Sequence, residues 1–374
     1  MKTIVHFGAG AIGRSLVGSL FSAAGWRIVF VDVDARIIGA LNVRGGYGVK
    51  IRDELPPGAS EVLEVRNVSG LLSGDMDAVA AAAASADLLG SSVGGNVLPK
   101  ILPAIAEGLR RRAERGGLPL SMLLCENLHG AGDLVRNELR RLLPADFPLA
   151  GRFGAVETSI GKMVPIMPAE VRERDPLEVW GEAYNRIVAD RDGVVGPIPE
   201  VPGIDWKTPF GAWVERKLYI HNFGHAAAAY LGHARGRRYL WECMADAEVR
   251  EAARAGMLAA AAALAMRHPG VFGPGELEEH VADLLRRFGN RALGDTVFRV
   301  GRDLRRKLAP GDRLLGTLTL IHEAGGDTAP VWRIIRAALA FDAQDGDGRP
   351  YEPDREFLRA MSSAAADGNV HGRR

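Results

Sequence analysis

Cysteine is almost missing from this chain. Cys125 and Cys243 are the only two; they exclude a thiolate metal cluster, argue against a disulfide framework, and fit a reducing compartment. Charge of one sign is missing too. The 47 basic and 46 acidic side chains nearly cancel, so the chain as a whole offers no attraction to nucleic acid or an anionic membrane. No apolar run is long. The longest, residues 255–266, is mostly alanine and about half of what a bilayer core requires, so a buried helix is expected there and no membrane span. Met1-Lys2-Thr3 leads straight into Ile4-Val5-His6-Phe7, too short for a signal core, so no targeting segment and a cytoplasmic protein are expected. What remains is an ordinary globular composition of a length that suits two domains.

The first third alternates short β-branched runs with longer helical patterns, the habit of a parallel sheet wrapped by helices. Strands are expected at 4–7, 28–33, 87–93 and 121–125, with helices at 14–24, 35–42, 77–86 and 97–115. Residues 150–156 and 177–180 read as strands that extend the sheet. The stretch 196–203, with Pro197, Pro199 and Pro202, is the expected boundary. Beyond it, 209–232, 240–267, 274–288 and 328–343 read as helices, and the tail after Gly346 as irregular with a disordered end.

The first strand runs into Gly8-Ala9-Gly10-Ala11-Ile12-Gly13 and then a helix. Gly8 permits the tight turn, Gly10 lets the backbone approach a pyrophosphate, and Gly13 allows close helix–strand packing. Asp32 closes the second strand, where a carboxylate accepts both ribose hydroxyls of NAD and repels the 2′-phosphate of NADP; Arg36 nearby softens that preference. The expected fold is therefore α/β: a doubly wound Rossmann domain over 1–198 that binds NAD, followed by a mainly α-helical catalytic domain over 199–374. Strand ends in such a sheet face the ligand, which brings Val93 and Gly94 of Ser92-Val93-Gly94-Gly95 to the cofactor. Asn127 of Cys125-Glu126-Asn127 belongs to the same crevice.

The second candidate site lies in Lys217-Leu218-Tyr219-Ile220-His221-Asn222-Phe223-Gly224-His225. At about 100° per residue, Asn222 lies about 140° and His225 about 80° around from Lys217, within one side of a helix. A cation, an amide and an imidazole on an otherwise apolar segment are costly to bury unless they serve a site. Spacing alone leaves a second reading open, with Lys217 in solvent and the other two satisfied inside the core. Arg299, Arg302, Arg305, Arg306, Lys307 and Arg313 form a basic cluster that reads either as an anion site or as a solvated face. The two cysteines and nine histidines lack zinc-ligand spacing, so no metal is expected.

Lys-x4-Asn-x2-His, following Phe-Gly-Ala-Gly-x-Ile-Gly-Arg and Cys-Glu-Asn, resembles the polyol-specific long-chain dehydrogenases of the mannitol dehydrogenase family. The likeness continues in Val214-Glu215-Arg216-Lys217-Leu218, Arg299-Val300-Gly301-Arg302, Arg306-Lys307-Leu308 and Gly311-Asp312-Arg313-Leu314. It spans most of residues 1 to about 320 and weakens beyond. The resemblance implies metal-free hydride transfer between NAD and C5 of mannitol 1-phosphate, giving fructose 6-phosphate. Lys217 would be the general base, Asn222 and Asn127 would stabilise the oxygen, and His225 would position it or a neighbouring hydroxyl. Burial, Arg216 and a cationic nicotinamide would each lower the Lys217 pKa. Arg302, Arg306 and Lys307 would hold the phosphate. One departure stands out: Gly161-Lys162-Met163-Val164-Pro165 replaces Asp-Arg-Ile-x-Pro, which keeps an unphosphorylated polyol or a hexuronate open as substrate. The expected partner is thus a small sugar phosphate or polyol, with no nucleic acid or membrane; a monomer is compatible with the sequence.

Overall fold

The computed structural model describes residues 1–55, 58–128 and 130–371, with side chains through residue 361. Two compact units form, Met1–Trp213 and Val214 onward.

In the first unit the strands are β1 (Thr3–Phe7), β2 (Arg27–Asp32), β3 (Gly46–Ile51), β4 (Val62–Arg66), β5 (Val68–Leu72), β6 (Leu88–Ser91), β7 (Leu120–Leu124), β8 (Phe153–Ile160), β9 (Val179–Gly181), β10 (Ile187–Asp190) and β11 (Ile204–Lys207). Eight build one sheet in the order β11-β10-β8-β7-β6-β1-β2-β5. From β8 to β5 neighbouring strands run parallel, and β10 joins β8 antiparallel. Both faces are covered, so these strands are apolar at nearly every position rather than alternating. On β1, Ile4 packs with Leu16, Phe21 and Phe30 on one face. Val5 and Phe7 pack with Leu89, Leu102 and Leu109 on the other.

Two expectations need correcting here. The strand near 177–180 does not extend the main sheet: β9 pairs with β3, which pairs in turn with β4, as a separate three-stranded sheet. The first unit also runs past the expected boundary at 198, because β11 pairs in parallel with β10 and adds an edge strand beyond the proline-rich stretch.

The second unit is helical. Helix Phe223–His233 is buried on nearly every side, and its Gly-Ala-rich surface lets neighbours come close. A Cβ at Gly224 would meet Met257 Sδ at 2.4 Å, and one at Gly232 would meet Cys243 Sγ at 2.1 Å. The expected helix at 240–267 is two, Leu240–Ala245 and Ala247–Arg267. Asp246 divides them by capping the second, its carboxylate accepting from the Glu248 and Val249 N–H groups. Arg237 and Arg235 hold that carboxyl well below its usual range. Helix Glu352–His371 stands where an irregular tail was expected.

The packing at Gly232 is testable. Gly232→Ala should destabilise the chain by about 1–3 kcal/mol through overpacking, and Cys243→Ala in the same chain should recover much of that loss. Urea unfolding of the single and double variants checks it; an additive double variant would contradict the contact.

Candidate active site

The glycine turn after β1 is shaped by contact with the loop after β6. Gly8 has φ of 99°, and a Cβ there would lie 2.7 Å from the Ser92 carbonyl oxygen. At Gly13 it would lie 2.1 Å from the Gly8 oxygen. Gly10 differs: nothing lies within 4 Å of the position its Cβ would take. It faces a cavity of about 400 Å³ lined also by Phe7, Gly8, Asp32, Ser92 and Val93. The Asp32 carboxylate stands at that cavity, accepting from the Ala9 N–H at 2.6 Å and the Asp34 N–H at 3.0 Å. Ala11 and Ile12 open the helix that follows and continue into a π-helical turn, Gly13–Gly18. An unobstructed glycine, a helix start and a strand-end carboxylate around one cavity fit a dinucleotide.

Three further side chains in the first unit bear on this cradle. Arg14 is buried and donates to the Ala9 carbonyl at 2.7 Å and the Pro176 carbonyl at 2.9 Å, tying the turn from below. Arg36 donates to the Glu173 carbonyl at 3.0 Å and lines a different cavity of about 670 Å³, outside the one that Asp32 faces. Glu126, buried, accepts from the Val93 N–H at 3.0 Å and the Gly94 N–H at 2.8 Å, so the Cys-Glu-Asn segment is bonded to the cofactor loop. Asn127, next to it, is exposed at the end of β7. Lys162 is buried and donates to the Glu182 and Tyr184 carbonyls at 3.0 and 2.9 Å. A Cβ at Gly161 would find the Tyr184 ring at 3.5 Å, an ordinary contact.

In the second unit, Lys217 to Asn222 form a π-helical turn rather than the α-helix that the angular estimate assumed. Hydrogen bonding from i to i+5 widens the turn and brings Asn222 closer around to Lys217 than α spacing allows. Such turns recur at functional sites. His225 follows on the next helix. Lys217 is half-buried, and desolvation, then the charge of Arg313, lowers its ammonium pKa to about 8. The second cause corrects the expectation of Arg216, whose guanidinium pairs with Glu276 at 3.7 Å. His225 Nε2 lies 3.2 Å from an oxygen of Asp295, and the other Asp295 oxygen accepts from Arg299. His221 is buried; desolvation and then Arg287 push its pKa well down. The Phe288 ring lies 5.0 Å from that of His225.

The basic cluster is largely engaged within itself. Arg306 donates to Asp303 at 2.5 Å, Arg313 to Asp312 at 2.9 Å, and buried Lys307 to the Arg302 carbonyl. Burial, then Arg313 and Arg306, brings the Lys307 pKa down to about 7. Arg302 is exposed, its guanidinium 5.8 Å from the centres of the Phe298 and Tyr351 rings. Glu126 and Asp295 were given no role by the sequence, and Arg313 was placed there in the basic cluster, not beside Lys217. Glu126 stood inside a quoted motif, whereas nothing in local spacing ties Asp295 to His225 or Arg313 to Lys217. Among the described residues no group of three or more His, Cys, Asp or Glu side chains is disposed to hold a metal, and no helix is long and apolar enough to cross a membrane.

Comparison with known proteins agrees with this architecture. The mannitol dehydrogenase Rossmann domain family matches residues 2–203 and the mannitol dehydrogenase C-terminal domain family matches residues 210–371. The second match reaches well past residue 320, where the motif likeness fades. A mannitol-1-phosphate 5-dehydrogenase of Brevibacillus brevis is 34% identical over 361 residues, covering 96% of this chain and 89% of that protein. Among solved structures, mannitol 2-dehydrogenase of Pseudomonas fluorescens, in ternary complex with NAD and D-mannitol, aligns with a TM-score of 0.72 at 19% identity, over 96% of this chain and 84% of that one. A substrate-free D-sorbitol dehydrogenase aligns with a TM-score of 0.75 at 18% identity, over 93% and 82%. A doubly wound first unit, a helical second unit and matches along almost the whole length lead to one conclusion: the chain belongs to the mannitol dehydrogenase family of oxidoreductases.

Proposed function

We propose that this chain interconverts D-mannitol 1-phosphate and fructose 6-phosphate by hydride transfer with NAD(H), with Lys217 as general acid and base and no metal. The observation that carries the reading is the Lys217 ammonium, brought to about 8 by burial and Arg313 on the π-helical turn that also holds Asn222. A lysine is an effective base only when part of it is neutral at working pH, and this one is. The curated relative's activity supports the substrate class. NAD, when bound, supplies the hydride acceptor; Gly8, Ala9, Gly10, Ala11, Ile12, Gly13, Asp32, Val93 and Gly94 are the residues assigned to hold it.

In oxidation, neutral Lys217 takes the proton of the reacting hydroxyl. Asn222 donates amide hydrogens to the oxygen as negative charge grows on it, the role that the family resemblance also assigns to Asn127, and the bond strengthens toward the transition state. His225, held against Asp295, orients that oxygen or an adjacent hydroxyl. In reduction, charged Lys217 returns the proton.

A second substrate reading has an observation behind it. Arg306 and Lys307, two of the three residues assigned to phosphate, already have internal acceptors, and Gly161 stands where a carboxylate was expected. The first fact weighs against a phosphate and the second leaves the sugar open, which together support an unphosphorylated polyol or a hexuronate as the second reading. Arg302, exposed and 5.8 Å from the centres of the Phe298 and Tyr351 rings, is the one of the three assigned residues whose guanidinium has no internal acceptor among the described residues.

Three outcomes are expected. Lys217→Ala should cut kcat by about 10²–10⁴ while NADH still binds. In the wild type, polyol oxidation should rise with pH and level off above about 8, because the base must be neutral; ketone reduction should fall over the same range. A mutant with a tenth of wild-type kcat, or flat profiles in both directions, would refute the role of Lys217.

For the substrate, Arg302→Ala should lower kcat/KM for fructose 6-phosphate by about tenfold or more and leave fructose nearly untouched, as loss of a charge-assisted contact requires. Equal wild-type kcat/KM for the two sugars would promote the free-polyol reading instead.

For the cofactor, Asp32→Ala should weaken NADH binding and narrow the preference over NADPH, measured by fluorescence titration. Tighter NADPH than NADH binding by the unaltered chain would overturn the assignment.

A further inference from the structure

Asp32 sets the direction in which a dinucleotide lies across the first unit. β1 is flanked by β2 and β5 on one side and by β6 and β7 on the other. With the ribose carboxylate at the end of β2, the adenosine half occupies the β2 side of the switch point. The nicotinamide half would then lie toward the ends of β6 and β7. Those two ends are bonded by the Cys125 N–H to the Ser91 carbonyl at 2.8 Å and, beyond it, by one side chain. Glu126, 6% exposed, follows β7 and accepts the successive N–H groups of Val93 and Gly94 with its two oxygens, at 3.0 and 2.8 Å. Gly94 has φ of 88°, the left-handed backbone that lets two consecutive N–H groups point the same way.

A neutral acceptor would satisfy those amides too, yet here a charge is used, and it is kept from water. We propose that Glu126 is a positioning residue with a second effect: it holds the Val93–Gly94 loop beneath the nicotinamide half, and its negative charge favours the oxidised cofactor over the reduced one. The inference rests on the NAD(H) reading above. The oxidised ring carries one positive charge, and accepting a hydride, two electrons with one hydrogen nucleus, cancels it. A carboxylate fixed beside that loop would stabilise the charged ring before the transfer and be nearly indifferent to it afterwards, and low solvent exposure limits the screening of its field. Its field already reaches a neighbour. The buried Cys125 thiol is pushed up to about 12, chiefly by desolvation, with the Glu126 charge adding to it.

Calorimetric titration of the full chain with NAD⁺ and with NADH separates a charge effect from a purely structural one. Glu126→Gln should raise the Kd for NAD⁺ by about tenfold more than the Kd for NADH. Equal weakening of both would overturn the proposal, because a loosened loop does not distinguish the two forms. Glutamine also turns an amide N–H toward a backbone N–H, so Glu126→Asp provides the variant that keeps the charge on a shorter arm. There both affinities should fall while their ratio stays much nearer the wild-type value than in the glutamine variant, within about threefold. A tenfold shift of the ratio against NAD⁺ in the aspartate variant, which keeps the charge, would overturn the charge argument even if the glutamine variant failed to fold. Failure of the unaltered chain to bind either nucleotide would remove the NAD(H) reading itself, a distinct result.

Discussion

The first unit depends on how closely two loops pass each other. The turn after β1 comes so near the loop after β6 that a single methyl group at Gly8 would sit 2.7 Å from the Ser92 oxygen. That approach is possible only because β1 and β6 are adjacent parallel strands ending at one level, with Phe7 opposite Ser91. Around it the remaining pieces lock in sequence. His6 Nε2 meets the Ser92 hydroxyl at 2.9 Å, Arg14 holds the Ala9 carbonyl, Asp32 holds the Ala9 N–H, and Glu126 secures the next two amides along. Each bond takes up a polar backbone or side-chain group that a glycine-rich crossing would otherwise leave without a partner. The cradle is a consequence of satisfying those groups.

How much of this was legible in the sequence varies with the range of the interaction. The central strands were readable because burial on both faces makes them almost wholly apolar, as in Ile28–Val31 of β2 and Met122–Leu124 of β7. β3, β4, β5, β10 and β11 were missed. Gly46–Ile51 alternates, with Tyr47, Val49 and Ile51 inward, but two of its six residues are glycines that weaken a strand, and β11 is four residues long, so propensity had little to act on and pairing decided the outcome. Spacing marked Lys217, Asn222 and His225, but it could not show a change of hydrogen-bond register within their helix. Arg313 and Asp295 were out of reach for a different reason. Their influence on Lys217 and His225 passes through space between segments far apart in the chain.

The basic cluster illustrates how a count of charges overstates what they offer. Six cations within fifteen residues suggest a reservoir for an anion, yet Arg299, Arg306 and Arg313 each have a carboxylate partner and Lys307 a carbonyl. A ligand phosphate would have to compete with acceptors already in place, and the gain from each contact is the difference between two bonds. Arg302 escapes that competition by resting against aromatic faces, which attract a guanidinium without using its N–H edge.

The buried helix Phe223–His233 has a consequence of another kind. Four of its consecutive residues, Ala226 to Ala229, are alanines, and glycines at 224 and 232 leave no space for anything larger against Met257 and Cys243. Alanine and glycine side chains have no rotamers to lose, so this stretch orders at low entropic expense and has few alternative ways to pack. The polar turn that begins at Lys217 is mounted on that inflexible stem. Diversification of such a helix is therefore coupled: a larger residue at 224 or 232 needs a smaller or shifted partner at Met257 or Cys243, so change along the stem comes in pairs.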